Sequence, residues 1–211
     1  MPDAEPKNLD NERGVLEKAI REAGGIALSY FRGKLTISEK DDKTPVTEAD
    51  IAADSHLRAR LTEAFPEYGW ISEESANQRG SQGNLSWVVD PIDGTRAFVR
   101  GREDWCISVA LIEDGRPILA AIFIPCSDDL YLATTGCGAE LNGTALKATD
   151  RREVTGCKMI GYQELFSSTR WAEPWPTMTV KSINSMALRL ARVAQGYGDA
   201  ALTVNAKSDW D

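Results

Sequence analysis

Histidine is nearly missing from this chain: His56 is the one imidazole among 211 residues. It falls inside a helical pattern, where a surface or core-edge position is expected, so a thiol nucleophile worked by histidine is disfavoured. Cysteine is sparse as well. Cys106, Cys126, Cys137 and Cys157 are widely spaced with no C-x-x-C pair, and are expected to be small core residues in a reducing cytosol. No apolar run approaches the roughly 20 residues that cross a bilayer. The opening Met1-Pro2-Asp3-Ala4-Glu5-Pro6-Lys7 has neither the basic start nor the apolar stretch of a secretory signal. Both absences point to a cytoplasmic protein. No repeat or low-complexity segment is present. Positive charge is in deficit, with 24 Lys and Arg against 32 Asp and Glu and a net charge of −8. That balance disfavours nucleic-acid polymers and anionic membranes as partners. It does not exclude a phosphate ligand, because acids that hold cations reverse the local field.

What remains is a soluble globular composition, 42% apolar, able to bury one or two cores. Leu16, Ile20, Ala23, Ala27 and Phe31 recur at helical spacing over 9–31, with Glu17, Lys18, Arg21 and Glu22 as a solvated face. Lys34 to Glu39 has β character, followed by a polar loop, Lys40 to Pro45. Thr47 is the expected N-cap of a second helix carrying Asp50, Ile51, Leu57, Leu61 and Phe65, which stops before Pro66. Trp105–Ile112 and Ile118–Ile124 flank Asp114-Gly115 as a hairpin. Leu130–Thr134 is a further strand. The glycine-rich Gly136–Gly143 lacks the strand–loop–helix setting of a P-loop and reads as a β-turn. Beyond about residue 155 the elements alternate: a strand at Met159–Tyr162, a helix at Ser185–Gln195 with Met186, Leu190 and Val193 on one face, then a strand at Ala200–Val204. The division expected is an α+β unit over 1–150 and a smaller α/β unit over 151–211, together forming one compact structural domain.

The most informative stretch is Trp87-Val88-Val89-Asp90-Pro91-Ile92-Asp93-Gly94-Thr95. Trp87 to Val89 read as a buried strand end. Pro91 pushes Asp90 toward an extended conformation, so that carboxylate leaves the strand in a defined direction. Gly94 permits a positive φ or a close approach to a ligand. Thr95 opens a helical pattern whose free N–H groups attract anions. Two carboxylates beside such a helix start suit a hard divalent cation and a phosphate. Taken alone, the same residues also describe a strand-to-helix turn with Asp and Thr as caps.

The longer segment Asp90-Pro91-Ile92-Asp93-Gly94-Thr95-Arg96-Ala97-Phe98 resembles the central signature of the inositol monophosphatase family, magnesium-dependent and lithium-sensitive phosphatases. Lys43-Thr44-Pro45-Val46-Thr47-Glu48-Ala49-Asp50, Ile71-Ser72-Glu73-Glu74-Ser75 and the terminal Trp210-Asp211 match the same family in order. The resemblance implies a layered αβαβα sandwich of the sugar phosphatase type, with the site between its two parts. It implies that Glu73, Asp90 and the Ile92 carbonyl hold a first magnesium. Asp90 would bridge to a second, completed by Asp93 and Asp211, with Glu73 also touching a weaker third. Thr95, paired with Asp50, would take the proton of the attacking water. Backbone N–H groups of Gly94 and Thr95 would hold phosphate oxygens, with Lys43 a nearby positive charge. Read as residues only, Asp50 could instead complement a helix dipole, and Glu73-Glu74 could be an exposed acidic pair. Arg96 and Arg100 could steer an anion or form surface ion pairs.

Substrate choice is less constrained. Inositol monophosphatases place an acid seven positions before their last metal-binding Asp; here that position is Val204, followed by Asn205. Lys181-Ser182-Ile183-Asn184-Ser185-Met186 corresponds to the family's substrate-facing turn, making Ser185 a candidate substrate contact. The implied reaction is hydrolysis of a small soluble phosphate ester, inositol 1-phosphate first. A 3′(2′),5′-bisphosphate nucleotidase and a histidinol-phosphate phosphatase follow, and an inactive cation-binding scaffold or fragment is the non-enzymatic alternative. Relatives continue past the Trp-Asp pair with helix, strand and helix, so a truncated 151–211 unit is expected. By analogy the protein is a homodimer.

Overall fold

The computed structural model describes residues 7–39, 45–81 and 84–204. Helix α1, Asp10–Tyr30, turns Leu16, Ala19, Ile20, Ala23 and Ala27 inward, the expected i, i+3, i+4 stripe. Phe31 ends it and packs its ring 5.4 Å from Phe98 and 5.6 Å from Trp105. Strands β1 (Ile37–Glu39) and β2 (Pro45–Thr47) pair antiparallel, so the expected loop yields to a strand at Pro45. Helix α2, Glu48–Ala64, starts at Thr47 with a capping box closed by Asp50 and is followed by Phe65 and Pro66. Its inward face is Ala49, Asp50, Ala53, Asp54, Leu57 and Leu61. Ile51, expected on that face, is 56% exposed. One residue is about 100° of helix, and the larger Leu57–Leu61 pair sets which stripe turns in.

Strands β3 (Gly69–Ser72) and β4 (Leu85–Asp93) are followed by the short helix α3, Thr95–Val99. Then come β5 (Cys106–Glu113), β6 (Arg116–Ile124), β7 (Asp129–Thr134), β8 (Gly138–Leu141) and β9 (Thr144–Ala145). They form one seven-stranded sheet in the order β3-β4-β5-β6-β7-β8-β9, parallel between β3 and β4 and antiparallel elsewhere. The β5–β6 hairpin turns on Asp114 (φ 50°) and Gly115 (φ 74°), the expected two-residue turn with both φ positive. The glycine-rich stretch Gly136–Gly143, expected as a β-turn, is one only in part: Asn142 (φ 47°) and Gly143 (φ 79°) turn, while Gly138–Leu141 is a strand.

Alternation along the strands separates two cores. Ile107, Val109, Leu111, Leu119, Ala121 and Phe123 join α1 and α2 in the larger one, with Trp70, Trp87 and Trp105 wholly buried. Cys106, Ile124 and Tyr131 face the other way. There they meet α5, Met186–Ala194, and the second sheet, whose strands β10 (Lys158–Ile160), β11 (Thr179–Lys181) and β12 (Ala200–Ala201) run parallel in the order β11-β10-β12. On that sheet's far side, Met159 packs with Phe166 of the one-turn helix α4 (Gln163–Phe166) and with Trp175. Helices, sheet, helix and sheet therefore stack in the layered α+β arrangement expected. The last strand is shorter than Ala200–Val204. Cys106 and Cys157 are buried fillers as anticipated, but Cys137 is exposed.

Helix α5 departs from its expected orientation. Ala187, Leu188 and Ala191 are buried while Leu190 is 49% exposed. Small residues let α5 lie close on β5 and β6, and its first turn is held by polar contacts at the site.

Candidate active site

Parallel pairing of β3 and β4 brings two acidic positions to one end of the large sheet. Ser72 pairs with Val89, so Glu73 and Asp90 follow side by side, and the Glu73 N–H donates to the Val89 carbonyl at 3.2 Å. Carboxyl ends of parallel strands are where α/β folds open crevices. Strand β4 does not stop at Val89 as expected but continues to Asp93 with a break in register. Asp90 pairs with Ser108 and Asp93 with Cys106, so Pro91 and Ile92 together oppose Ile107. That is a bulge, and proline, with no N–H to give the ladder, suits it. Asp90 Oδ1 accepts the Ile92 N–H at 3.1 Å. Gly94 then takes φ 100°, as anticipated. A Cβ there would lie 3.1 Å from the Asp104 carbonyl oxygen and 3.2 Å from the Trp105 Cα.

Asp50 and Thr95 meet as expected. Asp50 is 1% exposed. Its Oδ2 accepts the Thr47 N–H at 2.8 Å and the Thr47 hydroxyl at 2.6 Å. Its Oδ1 lies 3.2 Å from Thr95 Oγ1, which is also 3.0 Å from the Ile92 carbonyl oxygen. The hydroxyl has one proton for two acceptors, so it can give it to the carboxylate without moving far. Asp50 thus completes a helix cap through one oxygen and reaches Thr95 through the other.

Asp93 is 6% exposed and turned toward the second layer. Its Oδ2 accepts the Ser185 hydroxyl and the Ala187 N–H, each at 2.6 Å. Ser185 is fully buried, caps α5 by accepting the Leu188 N–H at 2.9 Å, and lies 3.2 Å from Cys106 Sγ. Ser185, expected as a substrate contact, is thus enclosed between the layers with its hydroxyl given to Asp93. Burial first, and then the Asp93 charge, push the Cys106 thiol well above its ordinary range, which leaves it no thiolate chemistry.

Two acids that sequence reasoning passed over belong to this neighbourhood. Asp54, 3% exposed, accepts a short hydrogen bond from the Ser72 hydroxyl. Ser72 Oγ in turn accepts the Glu74 N–H at 3.2 Å. Asp104 accepts the Asn184 N–H on Oδ2 at 2.7 Å and the Ser185 N–H on its carbonyl at 3.3 Å. Asp54 had a legible signal, standing four residues after Asp50 on the Leu57–Leu61 face; Asp104 had none.

Lys43, Asn205 and Asp211 lie outside the described residues. Arg96 and Arg100 are exposed. His56 is half-buried, with Nε2 2.9 Å from Glu22 Oε2. Glu22, expected on a solvated face, thus ties α1 to α2, and the His56 hydrogen bond holds its carboxyl below the ordinary value.

Donor chemistry here suits a hard divalent cation. Asp90, Asp93, Glu73 and the Ile92 carbonyl offer only oxygens, from the ends of two adjacent strands, as magnesium prefers. Asp90 and Asp93 do not point into bulk solvent. Among the described residues, however, no three His, Cys, Asp or Glu side chains stand close enough to enclose an ion. One Asp93 oxygen is turned to α5.

A model of the inositol monophosphatase family matches residues 8–211. Xylella fastidiosa "Nus factor SuhB" is 32% identical over 209 residues, 93% of this chain and 74% of the relative. Rhizobium meliloti "Inositol-1-monophosphatase" is 38% identical over 143 residues, 67% of this chain and 54% of that protein. Among solved structures, the extragenic suppressor protein suhB from Bartonella henselae superposes with TM-score 0.80 at 25% identity, covering 89% of this chain and 76% of that one.

Proposed function

Because the chain belongs to the inositol monophosphatase family, we propose that it is a magnesium-dependent phosphomonoesterase acting on a small soluble phosphate ester, inositol 1-phosphate first. One observation carries the reading: Thr95 and the buried Asp50 are in contact 3.2 Å apart beside the strand ends bearing Glu73 and Asp90. Glu73, Asp90, the Ile92 carbonyl, Asp93 and Asp211 would hold magnesium, two or three ions per site. When bound, these ions neutralise the phosphoryl charge and acidify the attacking water.

The chain's own groups do the rest. Thr95 Oγ1 accepts the proton of the attacking water while passing its own to Asp50 Oδ1, so the proton ends on a carboxylate already fixed by Thr47. The N–H groups of Gly94 and Thr95 hold phosphate oxygens, and Lys43 adds a positive charge. Ser185 acts through Asp93, keeping that carboxylate turned along one direction.

Release of phosphate from inositol 1-phosphate, adenosine 3′,5′-bisphosphate and histidinol phosphate, with and without magnesium, tests this. Magnesium-dependent turnover of inositol 1-phosphate, suppressed by lithium, is expected. Thr95→Ala should lower kcat by about 10²- to 10⁴-fold, the usual worth of a positioned proton acceptor. Adenosine 3′,5′-bisphosphate as the better substrate would move the assignment to the nucleotidase branch. The relatives named Nus factor favour a second reading, a binding role without hydrolysis, which total absence of turnover would support.

A further inference from the structure

The large core contains a second acid that the proton transfer leaves unused. Asp50 and Asp54 stand one turn apart on the inward face of α2, 1% and 3% exposed. A buried carboxylate is retained only where hydrogen bonds offset its lost hydration. Asp50 reaches forward to Thr95. Asp54 reaches sideways to Ser72, the last residue of β3, and accepts the hydrogen bond of its hydroxyl. That leaves the Ser72 oxygen lone pairs for the Glu74 N–H, while the Ser72 N–H donates to Asn77 Oδ1 at 3.3 Å. Three residues after Ser72, Ser75 Oγ accepts the Trp70 indole N–H at 2.9 Å. Glu73 sits between these fixed points, its own N–H on Val89 of β4.

We propose that Asp54 is a positioning residue: through Ser72 it sets the turn that aims the Glu73 carboxylate toward magnesium, so α2 holds the proton acceptor and the metal-ligand turn in one register. The proposal rests on the metal reading above. Groups that orient a ligand in this way change metal affinity by about 10- to 100-fold when removed.

Calorimetric titration of magnesium into the intact chain, without substrate, tests it. Asp54→Ala and Ser72→Ala should each weaken binding by about 10- to 100-fold. The double variant should be no weaker than either, since both remove one linkage. Asp54→Asn, still able to accept from Ser72, should recover most of the loss. Leu61→Val, which loosens α2 elsewhere on its buried face, should lower Tm and leave magnesium affinity alone. Kinetically, the Asp54→Ala loss should appear as a raised magnesium requirement with kcat largely restored at saturation. Unchanged affinity in Ser72→Ala, or an equal loss in Leu61→Val, would overturn the proposal even if Asp54→Ala does not fold. An unsubstituted chain that binds no magnesium would remove the metal reading, and this proposal with it.

Discussion

Gly94 shows how one backbone angle can fix a site. Its φ of 100° is open to glycine at little cost and to other residues only under strain. The Asp104 carbonyl oxygen and the Trp105 Cα would also crowd a Cβ, at 3.1 and 3.2 Å. Gly94→Ala should therefore destabilise the protein by about 1–3 kcal/mol, measured by urea unfolding. It should lower turnover as well, because Thr95 is the next residue. An unchanged midpoint would mean that the loop relaxes freely. Asp50 and Asp54 make a complementary point. They share residue type, helix face and burial, yet a different neighbour gives each its work, Thr95 for one and Ser72 for the other.

At the scale of elements, α5 is a helix whose direction is set at its first turn. Ser185 caps it and donates to Asp93, while the Ala187 N–H donates to the same oxygen. The stripe of Ala187, Leu188 and Ala191 then turns inward, and Leu190 faces water. Ser185→Ala should cost about 2 kcal/mol or more, combining a lost cap with a lost donor to a buried carboxylate. Leu190→Ser should stay within about 0.5 kcal/mol. Thermal unfolding of the two variants reads both, and a reversed order would put the inward face on the Met186–Leu190 side.

Across the whole molecule, the large sheet and the second layer are joined by Tyr131. Its hydroxyl donates to Gln195 Oε1 at 2.7 Å and accepts from Arg192 at 2.8 Å, and Arg192 also reaches Asp129 at 3.3 Å. Burial pushes the Tyr131 phenol from its ordinary 10.0 up to about 12. Burial followed by the Glu12 hydrogen bond does the same for Tyr68, up to about 12. A raised phenol keeps its proton in the folded chain after the unfolded chain has lost it. Its stabilisation is thus complete below pH 10 and lost as pH rises toward about 12. Unfolding free energy should fall across that window, and less steeply in Tyr131→Phe; identical slopes would locate the alkaline sensitivity elsewhere.

Much of this was legible along the chain because local rules govern it. Periodicity placed α1 and α2, the turn residues Asp114-Gly115 marked a hairpin, and Thr47 marked a helix start. The run from Trp87 to Thr95 announced its carboxylates, proline and glycine. What periodicity does not carry is which of two plausible stripes a helix buries, since that depends on the surface it meets; Ile51 and Leu190 were misplaced for this reason. It does not carry long-range partners either. That Ser185 serves Asp93, that Glu22 joins α1 to α2, and that Asp54 holds the turn before Glu74 all follow from pairings between segments far apart in the chain. Only close packing brings those groups within hydrogen-bonding distance.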